Sequence, residues 1–536
     1  MLEYELHENV IQQYLNNELP KKSEINLQEI AKELIERLQA AVEIDNATGT
    51  HKKNWKLPSR LSMPEIDIVL RHIYTIKKIS LTDDTITSDN YILAIYNEDE
   101  TKGPTGIYIV DDNFINSMIY DLNPTLTVSN VKDIRALMYT RVPVAKLTKD
   151  KNLVPVNNGI FDQKTKRLKK FSSKYVFLSK IPINYNPYAT NPLIKDPVDG
   201  SIWDVEGWMR ELTDDPAIQN LLWQILGAAI RPNVGWNKAV WFYSEVGNNG
   251  KGTFLELIRN LTGEGNYATL KVADFSKQFA LESIIATSCI LADENDVNSY
   301  IDSSANYKTA CTGDKLVIER KFKSAVHMNY KGLIVQCMNG FPKTKDKSNS
   351  FYRRLILVPF NKSFEGREKP YIKYDFLART EVLEYVLSKV LFMDFTELEV
   401  PTSSHELMDE YKDYNDQTRQ FWGELEGSFV WSLLPIDFLY QLYVEWSKIN
   451  APYGKILNKK TFTGDLESLL KDDPNWEFKA SKKDWVRTGS KMDASEPLII
   501  EYNLTRWMDK LYTGNVPEKI TNFERKTGYR GIVRKT

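Results

Sequence analysis

Apolar residues change their spacing several times along the chain, and each spacing predicts a different element. Leu27, Ile30, Leu34 and Leu38 recur at helical intervals, which predicts an amphipathic helix near the amino terminus. Short runs of β-branched and aromatic residues between 91 and 110 predict strands. Helical spacing returns in a tryptophan-rich stretch at 203–230 and again at 438–446. The mixture of both periods predicts an α/β protein.

One apolar run ends in an unusual turn. Residues 241–243 read as a strand, residues 244–253 contain glycines, asparagines and a lysine, and a helical pattern follows from Phe254. Backbone N–H groups of such a turn surround phosphates, and a lysine adds positive charge. The predicted phosphate-binding residues are Gly247, Asn248, Asn249, Gly250, Lys251, Gly252 and Thr253.

This loop departs from the common G-x-x-x-x-G-K-[ST] pattern. That pattern would place its first glycine at Glu245 and its metal-binding hydroxyl at Gly252. We therefore expect Thr253, one position later, to supply the hydroxyl for Mg²⁺. The predicted cofactors are ATP and Mg²⁺.

Polar residues follow two further apolar runs. Asp293 and Glu294 end the run 288–294, and Asn339 ends the run 332–339. Parallel strands deliver the residues at their carboxyl ends to a shared ligand crevice. We expect Asp293 to hold Mg²⁺, Glu294 to orient and deprotonate the attacking water, and Asn339 to position that water.

Two adjacent arginines precede a fourth apolar run. Arg353 and Arg354 stand directly before 355–360. Guanidinium groups beside a strand are suited to reach the phosphates of a neighbouring subunit as an arginine finger. The sequence leaves open which of the two arginines takes this role.

The segment 316–328 is predicted to be a β-hairpin with a charged tip. Lys321 and Lys323 would neutralise phosphates of DNA, and Phe322 would stack on bases or sugar. The whole chain has 70 basic and 72 acidic residues, but 305–350 has nine Lys or Arg against three Asp or Glu. A near-neutral total is compatible with a nucleic-acid contact that is confined to one basic segment.

Together these motifs resemble the superfamily 3 helicases, in their phage, plasmid and poxvirus NTPase branch. The resemblance covers about 150–365 and rests on the loop at 247–253, on 292–294, on Thr312-Gly-Asp314, on 339–342 and on the arginine pair. It implies an AAA+ core, a hexameric ring and ATP-dependent unwinding of single-stranded and forked DNA, typically 3′ to 5′. It further implies replication initiation of a mobile genetic element.

Composition is that of a soluble globular protein, with 42% hydrophobic and 26% charged residues. The longest apolar stretch, 221–230, is too short to cross a bilayer, so we expect no membrane partner. No signal segment opens the chain, and the three cysteines (Cys289, Cys311 and Cys337) lack metal-ligand spacing. These features predict reduced cysteines and a cytoplasmic protein.

The expected domains are an accessory region at 1–150, a helical lead-in at 151–230, the ATPase core at 231–370, a helical connection at 371–415 and a winged-helix-like DNA-binding domain at 416–536. A primase would need paired carboxylates, and only Glu65 and Asp67 are spaced for it. We expect both on the solvated face of a helix from Pro64 to about Ile76. The accessory region is therefore predicted to be a collar or DNA-binding element.

Two helical patterns and a basic β-like tail predict a winged-helix domain at the carboxyl end. The patterns lie at 438–446 and 459–470, and the tail at 528–535. The second helix of such a domain enters the major groove, so origin duplex DNA is a possible partner.

Two other functions remain open. A P-loop phosphotransferase is compatible with the Gly-Lys-Gly-Thr ending, and a non-hydrolysing origin-binding protein is compatible with Glu245 and Gly252. The first leaves the basic hairpin and the arginine pair without a purpose.

Overall fold

A computed structural model describes residues 2–48, 53–83, 91–295, 300–301, 303–450, 456–481 and 483–535. The chain divides into two compact units, Met1–Leu407 and Met408–Thr536. Both units contain helices and sheets, which confirms the mixed α/β class. Among the described residues, no helix is long and apolar enough to span a membrane.

The first unit begins with a helical layer on a small sheet. Its elements are α1 Glu3–Asn17, α2 Leu27–Ala47, α3 Met63–Ile73, β1 Ile76–Ser80, β2 Ile92–Tyr96, β3 Tyr108–Ile109, α4 Asp112–Leu122, α5 Val128–Arg141 and β4 Val144–Lys146. The strand order is β3-β2-β1-β4. Ile30, Leu34 and Leu38 of α2 are buried in the core of this region, which confirms the predicted amphipathic helix.

The acids of α3 are not on a solvated face, so that prediction is wrong. Asp67 is fully buried and accepts hydrogen bonds from Arg71 at 2.9 Å and from Arg141 at 2.6 Å. Glu65 is paired with His7 of α1 at 2.6 Å. Two of these basic partners lie far away in sequence, and a buried carboxylate requires such partners. Both carboxylates are engaged in ion pairs rather than open to a metal.

A second group of elements leads into the central sheet. It comprises β5 Leu153–Val156, β6 Gly159–Asp162, β7 Arg167–Lys169, β8 Ile194–Lys195, β9 Ile202–Trp203, α6 Val205–Glu211 and α7 Pro216–Ala229. The two helices fall within the tryptophan-rich pattern and confirm it as helical. They pack with the central sheet in one hydrophobic core.

The central region contains a five-stranded parallel sheet. Its elements are β10 Ala239–Tyr243, α8 Lys251–Thr262, β11 Tyr267–Thr269, β12 Cys289–Asn295, β13 Tyr300–Ile301, α9 Ala305–Thr312, β14 Lys315–Arg320, β15 Lys323–Asn329, β16 Leu333–Met338, β17 Lys343–Thr344, α10 Asn349–Tyr352, β18 Leu355–Pro359, α11 Pro370–Tyr374, α12 Thr380–Phe392 and α13 Thr402–Asn415. The strand order is β11-β12-β16-β10-β18. Strands β10 and β16 in the middle of the sheet are wholly buried, as expected for a parallel sheet covered on both faces.

Short 3₁₀ helices connect several elements of both units. They span Lys22–Glu24, Glu100–Lys102, Val272–Ser276, Ala280–Ile284, Phe376–Ala378, Glu426–Ser428 and Thr505–Trp507.

The second unit combines helices with an antiparallel sheet. Its elements are α14 Gln417–Leu425, β19 Leu433–Pro435, α15 Ile436–Asn450, α16 Lys459–Leu469, β20 Trp476–Lys479, β21 Val486–Arg487, α17 Leu498–Glu501, α18 Pro517–Ile520, β22 Gly528–Tyr529 and β23 Gly531–Arg534. The sheet order is β19-β23-β20, with both pairings antiparallel. The two helices and the β-like tail predicted from the sequence are confirmed as secondary structure.

Candidate functional site

The glycine-rich loop leaves β10 at the carboxyl edge of the parallel sheet. Asn248 and Gly250 have φ angles of 52° and 89°, in the region that glycine and asparagine tolerate best. A Cβ on Gly250 would lie 2.7 Å from Leu212 Cδ2, so a larger residue would require Leu212 to move in addition to adopting an unfavourable positive φ. Helix α8 then begins at Lys251, and the Phe254 N–H donates to Gly250 O at 2.9 Å.

Lys251 is the most unusual cation of this loop. Its side chain is buried, with 5% of the residue exposed, and Nζ has no hydrogen-bond partner among the described residues. Burial lowers the pKa of this ammonium to about 8. A buried donor without an acceptor is costly, and the start of a helix favours an anion. The residues present therefore fit a phosphate group.

The predicted acids and amide meet at the same edge. Strands β12 and β10 both pair with β16 in parallel, and Tyr243 lies opposite Met338. Asp293 and Glu294 on β12, and Asn339 directly after β16, consequently lie at the edge from which the loop departs. All three residues are exposed. The fold thus groups Lys251 with the three polar residues that the sequence singled out.

Asp293 has a partner that the sequence analysis missed. Arg259 of α8 donates to Asp293 Oδ2 at 2.9 Å and also to Glu256 at 3.0 Å. Arg259 lies two helical turns after Lys251, on a helix that packs beside β12, and this spacing was the available signal. Asp293 is therefore held in place by an ion pair at one of its two oxygens.

Thr253 lines a cavity of about 930 Å³ beside the loop. Gly252 lies close to Asp293 of β12, because a Cβ on Gly252 would be 3.6 Å from Asp293 Oδ1. The Thr253 hydroxyl and the second oxygen of Asp293 are oxygen ligands of the type that Mg²⁺ prefers. These two residues are the ones that would hold the ion.

The two arginines lie at the amino ends of the parallel strands, opposite to the carboxyl ends from which the loop departs. β10 and β18 are parallel, Ala239 is opposite Leu355, and the Ala239 N–H donates to Arg354 O at 2.7 Å. Five residues of strand, roughly 16 Å, separate this edge from the loop. Arg353 is exposed, whereas the Arg354 guanidinium bonds Ser350 of its own turn. The fold does not bring the arginines to the loop of their own chain.

The predicted hairpin is present as β14 and β15, with a two-residue tip. Phe322 at the tip is 95% exposed and has a φ of 60°. Lys323 is ion-paired with Asp112 of α4 at 2.5 Å. The Lys321 N–H donates to Glu282 at 3.2 Å, and its ammonium lies 5.3 Å from the Phe322 ring. The tip therefore presents one aromatic ring and one lysine to solvent, and a second lysine that an acid holds.

Three protein families match separate parts of the chain. Residues 109–203 match the family described as D5 N terminal like, and 413–505 match Poxvirus D5 protein-like. Residues 242–354, from the strand before the loop to the arginine pair, match a family of unknown function, DUF5906. The two D5 matches lie on either side of the residues that match DUF5906. No curated protein matches the chain.

Solved structures of the NrS-1 C terminal region are similar over most of the chain. The A form apo structure has 14% identity and a TM-score of 0.41, and covers 83% of this chain and 91% of that chain. The apo structure of residues 305–718 has the same identity and TM-score and covers 72% of this chain and 93% of that chain. At this TM-score the likeness does not establish a shared fold.

We predict that Lys251→Met stabilises the nucleotide-free protein. The folded pKa of Lys251 is about 8, below its ordinary value of 10.5, so the unfolded chain holds the proton more tightly. Burial of the protonated Lys251 side chain therefore destabilises the folded protein by at most about 3 kcal/mol. This effect is fully present below pH 8 and disappears as the pH rises to about 10.5.

Urea denaturation of wild type and Lys251→Met at pH 7, 8.5 and 10 measures this difference. Lys170→Met, at an exposed lysine, is the control and should show no pH-dependent difference. Equal stability of Lys251→Met and wild type at pH 7 would contradict the prediction.

Proposed function

We propose that this protein is an ATP-dependent DNA helicase, active as a ring, most simply a hexamer, in replication of a mobile genetic element. The observation that carries the proposal is the buried Lys251 ammonium without a hydrogen-bond partner among the described residues, at the first residue of α8. The phosphates of ATP would supply the missing acceptors. The D5 family matches and the chemistry of the sheet edge support the same function.

Each residue of the edge has a role in this proposal. Lys251 and the loop N–H groups bind the phosphates, and Thr253 and Asp293 hold Mg²⁺. Held by these two residues, Mg²⁺ would supply positive charge to offset the negative charge that develops on the phosphate oxygens. Glu294 accepts a proton from the attacking water, and Asn339 orients that water. The exposure of Glu294 is consistent with access to water.

The position of Arg353 supports an oligomer. One sheet cannot bring Arg353 and Lys251 together, because they lie at opposite edges of it. An adjacent subunit would place its Arg353 at the loop, where a guanidinium stabilises the charge of phosphoryl transfer. The Arg354 guanidinium donates a hydrogen bond to Ser350, whereas Arg353 is exposed, so Arg353 is the proposed arginine finger.

The hairpin tip is the proposed contact with single-stranded DNA. An exposed aromatic ring beside a lysine is a combination that stacks on bases and pairs with phosphate. Lys323 can join this contact only by exchanging Asp112 for a phosphate.

The second unit is the proposed site for duplex DNA. Helices α15 and α16 are followed by β20 and β23, which pair antiparallel, and this order supports a winged-helix-like domain. Lys459 and Lys460 begin α16, the helix that would enter the major groove. This unit is the reason to include origin DNA among the partners.

ATP hydrolysis with and without single-stranded DNA tests the proposed function. We expect turnover that DNA stimulates, that Lys251→Ala abolishes, and that Glu294→Gln abolishes while nucleotide binding persists. Lys170→Ala is the control and should behave as wild type. Turnover indifferent to DNA would indicate a phosphotransferase, and the absence of turnover would indicate an origin-binding protein; either result contradicts the helicase.

Arg353→Ala should lower turnover on the order of 10³-fold, because charge stabilisation in the transition state is lost. Mixing it with Lys251→Ala should restore part of the activity, since a Lys251→Ala subunit can offer Arg353 to an intact loop. A mixture of Lys251→Ala and Glu294→Gln is the matched control, because both residues belong to one site. Arg353→Ala with wild-type turnover would contradict the finger assignment.

Lys321→Ala combined with Lys323→Ala should spare basal ATP hydrolysis and abolish unwinding. With two fewer phosphate contacts, the slope of log affinity for single-stranded DNA against log salt should fall by about 1.4. Asp112→Asn, which frees Lys323, should instead strengthen DNA binding. Normal unwinding by the double variant would show that the hairpin is not the DNA contact.

A further inference from the structure

The segment after β18 returns to the glycine-rich loop and lines the same cavity. Its residues 362–364, 367–370 and 372–374 face the cavity together with Asn248, Gly250 and Thr253 of the loop. The Phe364 N–H donates to Asn248 O at 2.7 Å, and the Asn248 amide donates to Glu368 at 2.8 Å. Loop and segment are thus bonded into one surface.

The segment contains four cations at this cavity, and three of them have protein partners. Lys362 pairs with Asp214, and Lys369 pairs with Asp196 at 2.6 Å. The Arg367 guanidinium donates to Ser363 O at 2.9 Å. The fourth, Lys373, has no acidic partner within 4 Å among the described residues, and its ammonium lies 5.4 Å from the Tyr374 ring.

Lys373 lies where the loop meets β12. A Cβ on Gly252 would be 3.8 Å from Lys373 Nζ and 3.6 Å from Asp293 Oδ1. The ammonium is therefore close to the start of α8, which favours anions, and to the acid proposed to hold Mg²⁺.

A buried carboxylate binds two side chains of the segment that contains Lys373. Asp196 is 2% exposed and accepts hydrogen bonds from Lys369 at 2.6 Å and from the Tyr371 hydroxyl at 2.7 Å. These two partners precede Lys373 by four and two residues. Asp196 is not among the residues that the sequence analysis singled out. Within the described residues, Lys373 is thus a cation without an acidic partner in a segment whose neighbouring side chains are fixed, and such an arrangement suits an anionic ligand.

We propose that Lys373 is a second phosphate-binding lysine of the same subunit, contacting the di- or triphosphate chain of the bound nucleotide. The inference rests on the proposed nucleotide site and adds a residue that the loop motif does not contain. Lys251 approaches the phosphates from the buried side of the loop, and Lys373 approaches from the cavity. Asp196 is a positioning residue for this contact.

Displacement of a fluorescent ADP analogue from the full chain tests this proposal, using ADP, a non-hydrolysable ATP analogue and AMP as competitors. Lys373→Ala should weaken ADP and the ATP analogue about 10-fold or more, as expected for loss of a charged hydrogen bond. Lys373→Arg should retain most of the affinity, and AMP should change little. Lys170→Ala, which removes an exposed lysine outside the cavity, is the control.

The possible outcomes separate the two proposals. If wild type binds nucleotide and Lys373→Ala binds it equally well, the role of Lys373 is overturned while the site stands. An equal loss for AMP and ADP would also overturn it, because the contact would then be with base, ribose or α-phosphate. If wild type binds no nucleotide, the proposed function fails and this inference fails with it. Equal thermal unfolding of the nucleotide-free variants would show that a loss is not caused by misfolding.

Discussion

The parallel pairing of the central sheet is the constraint on which the candidate site depends. Because β12, β16 and β10 run in the same direction, the residues that follow them emerge at one edge. Lys251 begins the next helix at that edge and is removed from water without a hydrogen-bond acceptor among the described residues. Burying an unpaired ammonium is unfavourable, and a phosphate would reverse that cost. The fold therefore keeps the Lys251 ammonium buried where a bound anion would be its hydrogen-bond acceptor.

The same parallel arrangement places Arg353 at the other edge. A side chain at the amino end of β18 is separated from the loop by the length of the strands. If the two edges act in one reaction, they must come from different subunits. In that case the length of the strands would be the physical reason for subunit assembly. ATP turnover would then depend on contact between neighbouring subunits.

Ion pairs determine which charged residues are available to ligands. Lys323 is held by Asp112 and must exchange that partner for a ligand, whereas Arg259 binds Asp293 through Oδ2, and the proposed metal contact uses the second oxygen. Lys373 has no acidic partner within 4 Å among the described residues, although three other cations of its segment are satisfied within the protein. Residue type alone therefore does not identify the cations that bind anions.

Local sequence determined the loop, its flanking strand and helix, and the hairpin, because these depend on the spacing of apolar residues and on glycine at positive φ. It also singled out Asp293, Glu294 and Asn339, since each ends a buried strand. Only the tertiary structure decided that the arginines lie at the opposite edge, because that depends on strand direction. It also decided that Glu65 and Asp67 are buried in ion pairs, and that Asp196 and Lys373 line the cavity beside the loop. These contacts join segments that are distant in the sequence, so the local spacing of residues does not predict them.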